Sequence, residues 1–288
     1  MSIKLEKYYF DVTSETEIGF YYVIMLRWKN FSVGASGIYH FTSSTQISSF
    51  KFSINPLRTI NSIQLTNAKA NISKRCSELF IDHNNVVLKG TWLQASQPLD
   101  RISKPLYQDG KYSSNWKVCS ALSKVDLTII KDGNRSNIVG TGYIDFVDLN
   151  FPFTKIPFTK LYWGRLHSEN YWYVFLSLET KEKSISVCYY PEGSTKNVKV
   201  NTACIEEGDI KSFQWFVGKN GEEMTFNVST KRCLEKKPVL SRNCFLDLIP
   251  KKFRNKISSS GYDKKYEVEL VHNHRLFVGI MEEVSWHE

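Results

Sequence analysis

The sequence predicts a nearly all-β protein, because its aromatic content is high and its apolar runs are short and separated by turn residues. Phe, Tyr and Trp make up 14% of the 288 residues, and these residue types favour strands and the linings of ligand cavities. The runs end at Ser, Asn, Gly or Pro, a pattern typical of the short strands of barrels and sandwiches. The length suffices for one large domain or two medium ones.

The strand prediction starts at segment 18–28, an apolar run with an aromatic-rich centre that is typical of a buried strand. The other strands predicted in the first half are 35–42, 47–54, 60–66, 86–93, 123–130 and 139–147. Those predicted in the second half are 171–179, 184–190, 196–201, 211–218, 222–228, 265–271 and 275–284. Helix is expected only as a turn near 72–80 and a short amphipathic piece at 243–256, which Pro250 interrupts.

The two halves of the chain repeat one pattern. YYFDVTSETEIGFYYVIML near the start and LYWGRLHSENYWYVFLSL in the middle each contain an aromatic cluster, a polar turn and an aromatic strand. Each half then ends on an acid that follows a Gly-containing strand start. The repeat pairs Tyr9 with Tyr162, Tyr22 with Tyr173, and Asp145 with Glu282. It predicts two similar domains, 1–158 and 159–288, joined near the crossing segment FPFTKIPFTK.

Charge, cysteines and the N-terminus narrow the functional class. The net charge is +9, but the densest basic patch (Lys251, Lys252, Arg254 and Lys256) lacks a binding motif. A solvated loop is therefore expected, with no nucleic-acid partner and at most weak contact with a membrane surface. MSIKLEKYYFDV has no signal-peptide core, and the six cysteines form no CxxC pair. We expect a cytoplasmic protein with buried thiols.

Five segments resemble the carotenoid 1,2-hydratase (hydroxyneurosporene synthase) and AttH-like family. They are KYYFDV at 7–12, KGTWLQASQP at 89–98, WKVCSALSKVDL at 116–127, GTGYIDFVDLNFPF at 140–153 and LYWGRLH at 161–167. Tocopherol cyclases and fungal decalin-forming cyclases are similar at a greater distance. The resemblance implies two tandem lipocalin-like (calycin) β-barrels or half-barrels with little helix. It also implies a polyene, isoprenoid or polyketide substrate, and ring closure or hydration without a metal or organic cofactor.

The chain departs from the family's hydratase motif. After the Gly-Tyr, hydratases of the family carry His, Asp, His and Asn before a Trp-Gly. Here Ile144 stands at the first His, Phe146 and Val147 replace the next His and Asn, and Asp148 replaces the Trp. Asp145 alone is kept, which argues against carotenoid hydration itself and leaves acid-assisted chemistry open.

Asp145 is the predicted catalytic acid. Protonating an alkene, or polarising a carbonyl beside a diene, needs an acid that stays protonated near neutral pH. Desolvation by aromatic neighbours raises the pKa of a carboxyl into that range, and Asp145 lies between Tyr143, Ile144, Phe146 and Val147 in the strand-like GYIDFV. The alternative, a strand-end carboxylate bonded to backbone amides or to Arg165, stays open.

Aromatic and basic side chains are predicted to line a cavity of about 300–1,000 Å³. They are Tyr22, Trp92, Trp116, Tyr143, Trp163, Arg165, His167, Trp172 and Tyr173. Aromatic faces stabilise a cation, and the alternating positions of Arg165 and His167 place both on one strand face, where they could bind an acidic group. An ion-paired Arg165 is the alternative. His272 and His274 fit a hairpin turn better than a metal site.

Two functional classes remain open. The first is an enzyme, a cyclase, hydratase or isomerase, that folds or protonates an apolar substrate, because holding a flexible chain in a reactive geometry removes much of the entropic barrier. The second is a non-catalytic carrier of a pigment or lipid. The absence of a secretion signal favours the enzyme, since simple carriers of this shape are expected to be exported.

Overall fold

Every regular element in the described part of the chain is a β-strand, which confirms the all-β prediction. The computed structural model describes residues 3–95, 105–151, 157–196, 198–206, 209–219, 222–238 and 262–285. The chain divides into two compact units, Met1–Phe153 and Thr154–Glu288. The domain boundary predicted from the sequence, after residue 158, lies slightly beyond the end of the first unit and stays a prediction.

The first unit is one antiparallel sheet in which sequence neighbours mostly pair. Its strands are β1 (Ile3–Thr13), β2 (Ile18–Trp28), β3 (Phe31–Phe41), β4 (Gln46–Ile54), β5 (Leu57–Arg58), β6 (Ser62–Gln64), β7 (Ala68–Asn71), β8 (Cys76–His83), β9 (Val86–Gln94), β10 (Tyr107–Asp109), β11 (Tyr112–Lys131) and β12 (Asn134–Phe151). Their order is β4-β3-β2-β1-β12-β11-β9-β8-β7-β6-β5, and β10 pairs with β11. The first strand therefore pairs with both the second and the last.

The second unit follows the same plan. Its strands are β13 (Phe158–Ser168), β14 (Tyr171–Thr180), β15 (Ser184–Tyr190), β16 (Gly193–Thr195), β17 (Val198–Glu206), β18 (Asp209–Lys219), β19 (Glu222–Pro238), β20 (Tyr262–His272) and β21 (Arg275–Ser285). They run in the order β16-β15-β14-β13-β21-β20-β19-β18-β17. One of the two sheets is a half-barrel and the other a nearly closed barrel, as the lipocalin-like resemblance implied.

The shared strand order agrees with the repeat in the sequence but changes its residue pairing. β13 corresponds to β1, and β21 corresponds to β12. Tyr9 pairs with Asp145, whereas Glu282 pairs with Trp163, so Trp163 is the counterpart of Tyr9. Tyr162 lies one position away and packs into the core of its own unit. The alignment of Tyr9 with Tyr162 was therefore wrong by one residue. In a strand, a shift of one residue moves a side chain to the opposite face.

The structure corrects the helix expected near 72–80 and lengthens several strands. Residues 76–83 form β8, because their burial alternates with the period of two that a strand requires. The strands predicted at 123–130, 139–147 and 222–228 are parts of β11, β12 and β19, which continue through polar residues because neighbouring strands pair with them. The predicted helix 243–256, the basic patch within it and residues 152–156 of the crossing segment lie outside the described residues.

Each unit buries its own apolar core. Phe10, Tyr21 and Trp92 belong to the first core, and Phe175 and Trp215 to the second. In the first unit the opposite face of the central strands is buried as well. That second face, called the off-core face below, carries Tyr9 and Asp11 of β1 and Tyr143 and Asp145 of β12. Burial on both faces leaves these strands without a simple apolar–polar alternation.

Four described cysteines carry thiols rather than disulfides. Cys119 and Cys188 are buried, and burial raises the pKa of Cys188 to about 12. Cys233 is exposed, so the expectation of buried thiols is wrong there: its side chain points outward from β19.

A buried polar network lies within the first core. The imidazole of His83 shares hydrogen bonds through Nε2 with the Ser36 hydroxyl (2.8 Å) and through Nδ1 with the Ser49 hydroxyl (2.9 Å). Asn67 Nδ2 donates to the Ser36 hydroxyl at 2.9 Å. Burial, helped by the charge of Lys51, lowers the pKa of His83 to about 4. The ring is therefore neutral at neutral pH.

Acidification is expected to destabilise the protein through His83. The pKa of His83 is about 4 in the fold and about 6.5 in the unfolded chain, so the unfolded state takes up the proton first as the pH falls. Stability that is complete above pH 6.5 is lost progressively toward pH 4, by about 3 kcal/mol at the lower end. Urea unfolding of wild type and His83→Gln at both pH values measures this loss. Equal acid sensitivity in the two proteins would contradict it.

Candidate functional site

Asp145 lies in the middle of β12 with its carboxyl group buried. Its Oδ2 accepts hydrogen bonds from the Trp116 indole N–H (2.9 Å) and from the Tyr143 hydroxyl (3.0 Å). Strand pairing places Tyr9 opposite Asp145 and Tyr22 opposite Tyr9. Directly opposed residues of antiparallel strands point to the same side, so these five side chains share the off-core face.

The strand beside Asp145 is irregular. β11 pairs Val118 with Asp145, and its register then shifts between Val118 and Ser120 and again between Ser120 and Ser123. The hydroxyl groups of Ser120 and Ser123 lie 2.8 Å apart, and Ser120 donates to the Leu122 carbonyl. Such bulges bend a strand and redirect its side chains. The irregularity therefore falls directly beside the candidate acid.

Aromatic rings continue from Asp145 across the off-core face and form an aromatic belt of Tyr9, Tyr22, Tyr39 and Phe50. The rings of Tyr22 and Tyr39 stack with centroids 5.8 Å apart, and the Tyr22 hydroxyl donates to the Tyr39 hydroxyl. The Phe50 centroid lies 6.1 Å from that of Tyr22. A Cβ at position 37, between them on β3, would overlap the Tyr22 ring. The absence of a side chain at Gly37 leaves room for the Tyr22 ring to lie over β3.

The ammonium group of Lys7 lies over the aromatic belt. Its Nζ is 5.3 Å from the centroid of Tyr9 and 5.7 Å from that of Tyr22. The sequence interpretation named Tyr22 but missed Tyr9, Tyr39, Phe50 and Lys7. Lys7 and Tyr9 alternate in one strand, and this alternation is the signal that could have placed both on one face. Only the pairing of β1 with β12 shows that Tyr9 lies opposite Asp145.

The second unit gathers four other predicted residues on its own off-core face. Trp163, Arg165 and His167 alternate along β13, and Trp172 of β14 lies opposite His167. All four are buried. Burial, reinforced by the charge of Arg165, holds the pKa of His167 well below its usual range. His167 is thus a neutral imidazole beside a guanidinium, an arrangement suited to binding an anionic or carbonyl oxygen.

A buried charge cluster adjoins Trp163. Glu282, the counterpart of Asp145, pairs with Trp163 on one side and with Lys265 on the other. Lys265 Nζ forms ion pairs with Glu282 and, at 3.4 Å, with Asp263. Burial alone would lower the pKa of Lys265, but the charges of Asp263, Glu282 and Glu235 outweigh it and raise that pKa. The lysine stays charged, so Glu282 is an ion-paired carboxylate.

Two predicted site residues lie elsewhere. Trp92 fills the first core, where its indole N–H donates to the Asp11 carbonyl at 2.8 Å and its ring meets the edge of Phe10. Tyr173 packs against Phe226 and Phe277 in the second core. The structure thus brings Tyr22, Trp116 and Tyr143 to Asp145, gathers the β13 and β14 residues in the second unit, and leaves Trp92 and Tyr173 in the cores.

A groove of about 430 Å³ crosses β7, β8, β9 and β11 of the first unit. It is lined by Lys69, Asn71, Glu78, Leu79, Phe80, Lys89, Gly90, Thr91, Asp126 and Thr128. None of the residues predicted to line the substrate cavity is among them, so the prediction of an aromatic-lined cavity stays a prediction.

The described residues contain no group of three or more His, Cys, Asp or Glu side chains able to hold a metal ion. His272 ends β20, and Asn273 and His274 form the two-residue turn before β21, with φ values of 49° and 59°. The predicted hairpin is therefore confirmed. Within the described segments no helix is long and apolar enough to cross a membrane.

No family model and no curated protein sequence matches the chain. Solved structures match along 98% of it. CghA has a TM-score of 0.69 at 14% identity, with 88% of that chain covered, and a second CghA structure, with Sch210972, has a TM-score of 0.68. An AttH-like protein of Nitrosomonas europaea follows at 0.66, with 9% identity and 92% coverage. Kievitone hydratase of Nectria haematococca has 0.59, with 8% identity and 88% coverage.

These comparisons establish the class of fold. The chain has the tandem lipocalin-like architecture of the CghA, AttH-like and kievitone hydratase structures. The sequence resemblance to the AttH-like group and to cyclases therefore points to the correct fold.

Proposed function

We propose that this chain is an enzyme of the cyclase or hydratase type that acts on an apolar polyene, isoprenoid or polyketide beside Asp145. The observation that carries the proposal is the buried carboxyl of Asp145, held by Trp116 and Tyr143 at the end of an aromatic belt. Structures of the same fold include a cyclase and a hydratase, which supports this class of chemistry. No metal or organic cofactor takes part in the proposed reaction.

The hydrogen bonds of Asp145 suggest how its carboxyl would transfer a proton. Oδ2 already accepts from Trp116 and Tyr143, so Oδ1 carries the proton of the acid form. In hydration, Oδ1–H gives its proton to an alkene carbon, water adds to the resulting cation, and the proton released by that water returns to the carboxylate. The two donors stabilise the carboxylate between these steps. The rings of Tyr9 and Tyr22 stabilise the cation.

Ring closure makes different demands on the same site. A pericyclic closure needs no net proton transfer, and the belt of rings would contribute mainly by holding the two reacting ends together. Asp145 would then donate a hydrogen bond to a carbonyl conjugated with the reacting double bond. A carrier would use the same surface without turnover, so turnover decides between the enzyme and the carrier.

Binding of a linear polyene is the first test. The fluorescent tetraene cis-parinaric acid is expected to bind the full chain saturably and to receive energy from Trp116. Trp116→Phe should reduce that transfer. Trp215→Phe is the matched control, because Trp215 is buried in the second core. Equal loss of transfer in the two variants would contradict binding beside Asp145.

Turnover is the second test. The full chain is incubated with an acyclic carotenoid, an acyclic isoprenoid alcohol and a linear polyketide, and the products are analysed by mass spectrometry. We expect either an isomer of unchanged mass, which indicates ring closure or isomerisation, or a product heavier by one water. Saturable binding with neither product from any probe would favour the carrier.

A further inference from the structure

Large apolar side chains are exposed at one end of the first unit. Trp28 and Phe31 lie directly opposite each other at the tip of the β2–β3 hairpin and are 41% and 55% exposed. Ile54 at the end of β4, Leu57 on β5 and Ile60 in the following turn are 69%, 64% and 90% exposed. These five residues are called the loop-tip patch below.

Strand pairing and ion pairs hold the loop-tip patch together. Val33 pairs with Leu26 on one side and with Ile54 on the other, so the end of β4 lies beside the β2–β3 hairpin. Arg27 next to the hairpin tip and Arg58 on β5 both bond the carboxylate of Glu6. The two arginines therefore bring β5 and its turn to the same end as Trp28.

Cations lie at the same end of the first unit as the loop-tip patch, and the side chains of Lys4, Arg27 and Arg58 meet at Glu6 on the other face of the sheet. Lys29 lies in the hairpin turn, Lys4 pairs with both Glu6 and Asp148, and the carbonyl of Lys111 accepts a hydrogen bond from Asn150, the partner of Lys4. With the two arginines, these residues make five cations against the nearby acids Glu6, Asp109 and Asp148. Large apolar side chains exposed together at one end of a domain mark a contact site.

We propose that the loop-tip patch docks on the surface of an anionic lipid bilayer, with Trp28 and Phe31 entering the interfacial layer. Trp is the side chain most suited to that layer, because its apolar ring enters the acyl boundary while its N–H stays among the headgroups. Apolar insertion and attraction between basic residues and anionic headgroups reinforce each other in peripheral binding. The chain's net charge of +9 acts in the same direction.

The loop-tip patch continues toward Asp145 along the off-core face. Ile54, Val33, Leu26, Leu5 and Leu149 form one row of directly paired residues across five strands. Asp145 lies four residues before Leu149 on β12 and shares its face, because side chains alternate along a strand. A lipid-dissolved molecule would thus meet an apolar row that leads to the candidate acid. This loading role depends on the proposed function, whereas docking on the bilayer does not.

Vesicle flotation of the full chain without any substrate tests the docking. The protein is expected to float with phosphatidylcholine vesicles that contain phosphatidylserine, and less with phosphatidylcholine alone. Trp28→Ser combined with Phe31→Ser should weaken binding by about tenfold. Lys29→Asn, which keeps a residue type suited to the φ of 54° at this position, should weaken binding to the anionic vesicles alone, by about fivefold.

A matched control uses another hairpin tip. Val271 and Leu276 are directly opposed and exposed at the end of the β20–β21 hairpin, so Val271→Ser with Leu276→Ser removes similar apolar surface elsewhere. Binding should survive this change. No flotation of wild type, or equal loss in both double variants, would overturn the proposal.

Fluorescence quenching tests the proposal without relying on the folding of a variant. Brominated lipids should quench the emission of wild-type protein more than that of Trp28→Phe. Equal quenching in these two proteins would overturn the insertion of Trp28. Because no substrate is present, either result is independent of turnover.

Discussion

Asp145→Asn is expected to lower turnover by about 10²–10⁴-fold while the apolar ligand still binds. The amide keeps the size of the carboxyl, and its carbonyl oxygen can still accept from Trp116 and Tyr143. It has no proton to transfer and forms no carboxylate for the two donors to stabilise. Product formation and cis-parinaric acid affinity, measured on the same preparation, separate the loss of chemistry from the loss of binding.

Two further variants show which property of the site matters. Tyr143→Phe removes one of the donors to Oδ2 and should lower turnover less than Asp145→Asn does. Tyr22→Ala removes a ring of the aromatic belt and tests whether the shape of the site matters. If Asp145→Asn kept full activity and Tyr22→Ala lost it, the site would work by folding its substrate, and Asp145 would not be the acid.

Lys265→Met is expected to destabilise the protein by about 3–5 kcal/mol, the cost of leaving buried charges unpaired. Lys265 is fully buried, and its ammonium offsets the charges of Asp263, Glu282 and Glu235. Met has a similar length but no charge. Urea unfolding at pH 7 measures the change. Lys199→Met, at an exposed position of β17, is the control and should change stability by less than about 0.5 kcal/mol.

In Lys265→Met the loss of stability with rising pH should move from the alkaline range of the lysine to the acid range of its buried partners. In the wild type the raised pKa of Lys265 contributes stability that is complete below the unfolded pKa of about 10.5 and is lost as the pH rises through the folded value. In the variant, lowering the pH protonates the buried acids and should restore part of the loss. Adding Glu282→Gln should restore stability at pH 7. A defect unchanged by either treatment would show that packing, not charge, is responsible.

The candidate acid could be chosen from the sequence because Asp145 is the one position of the family's hydratase motif that is kept, and it lies between Tyr143 and Phe146 in a strand-like run. Trp116 and Tyr143 were named as well, but as cavity residues rather than as hydrogen-bond donors to its carboxyl. Their role depends on strand pairing between β11 and β12. Tyr9 and Lys7 were missed for the same reason, since β1 and β12 are far apart in the sequence.

Trp92 and Tyr173 show a second limit of sequence reasoning. Both are large aromatic residues in strands, as are Trp116 and Trp172, yet two lie in cores and two on off-core faces. Alternation separates the two faces of a strand but does not say which face is the core. Where both faces are buried, as on β1 and β12, the sequence pattern does not distinguish the core face from the off-core face.

Local composition and turn residues therefore sufficed to predict the all-β class and most strand positions, because strand propensity and chain reversal are properties of short segments. The tandem lipocalin-like architecture was implied by the family resemblance. The lengths of β11, β12 and β19, the one-residue shift that makes Trp163 the counterpart of Tyr9, and the neighbours of Asp145 were decided by the tertiary structure. Each depends on register between distant strands, and a shift of one residue moves every side chain to the other face of the sheet.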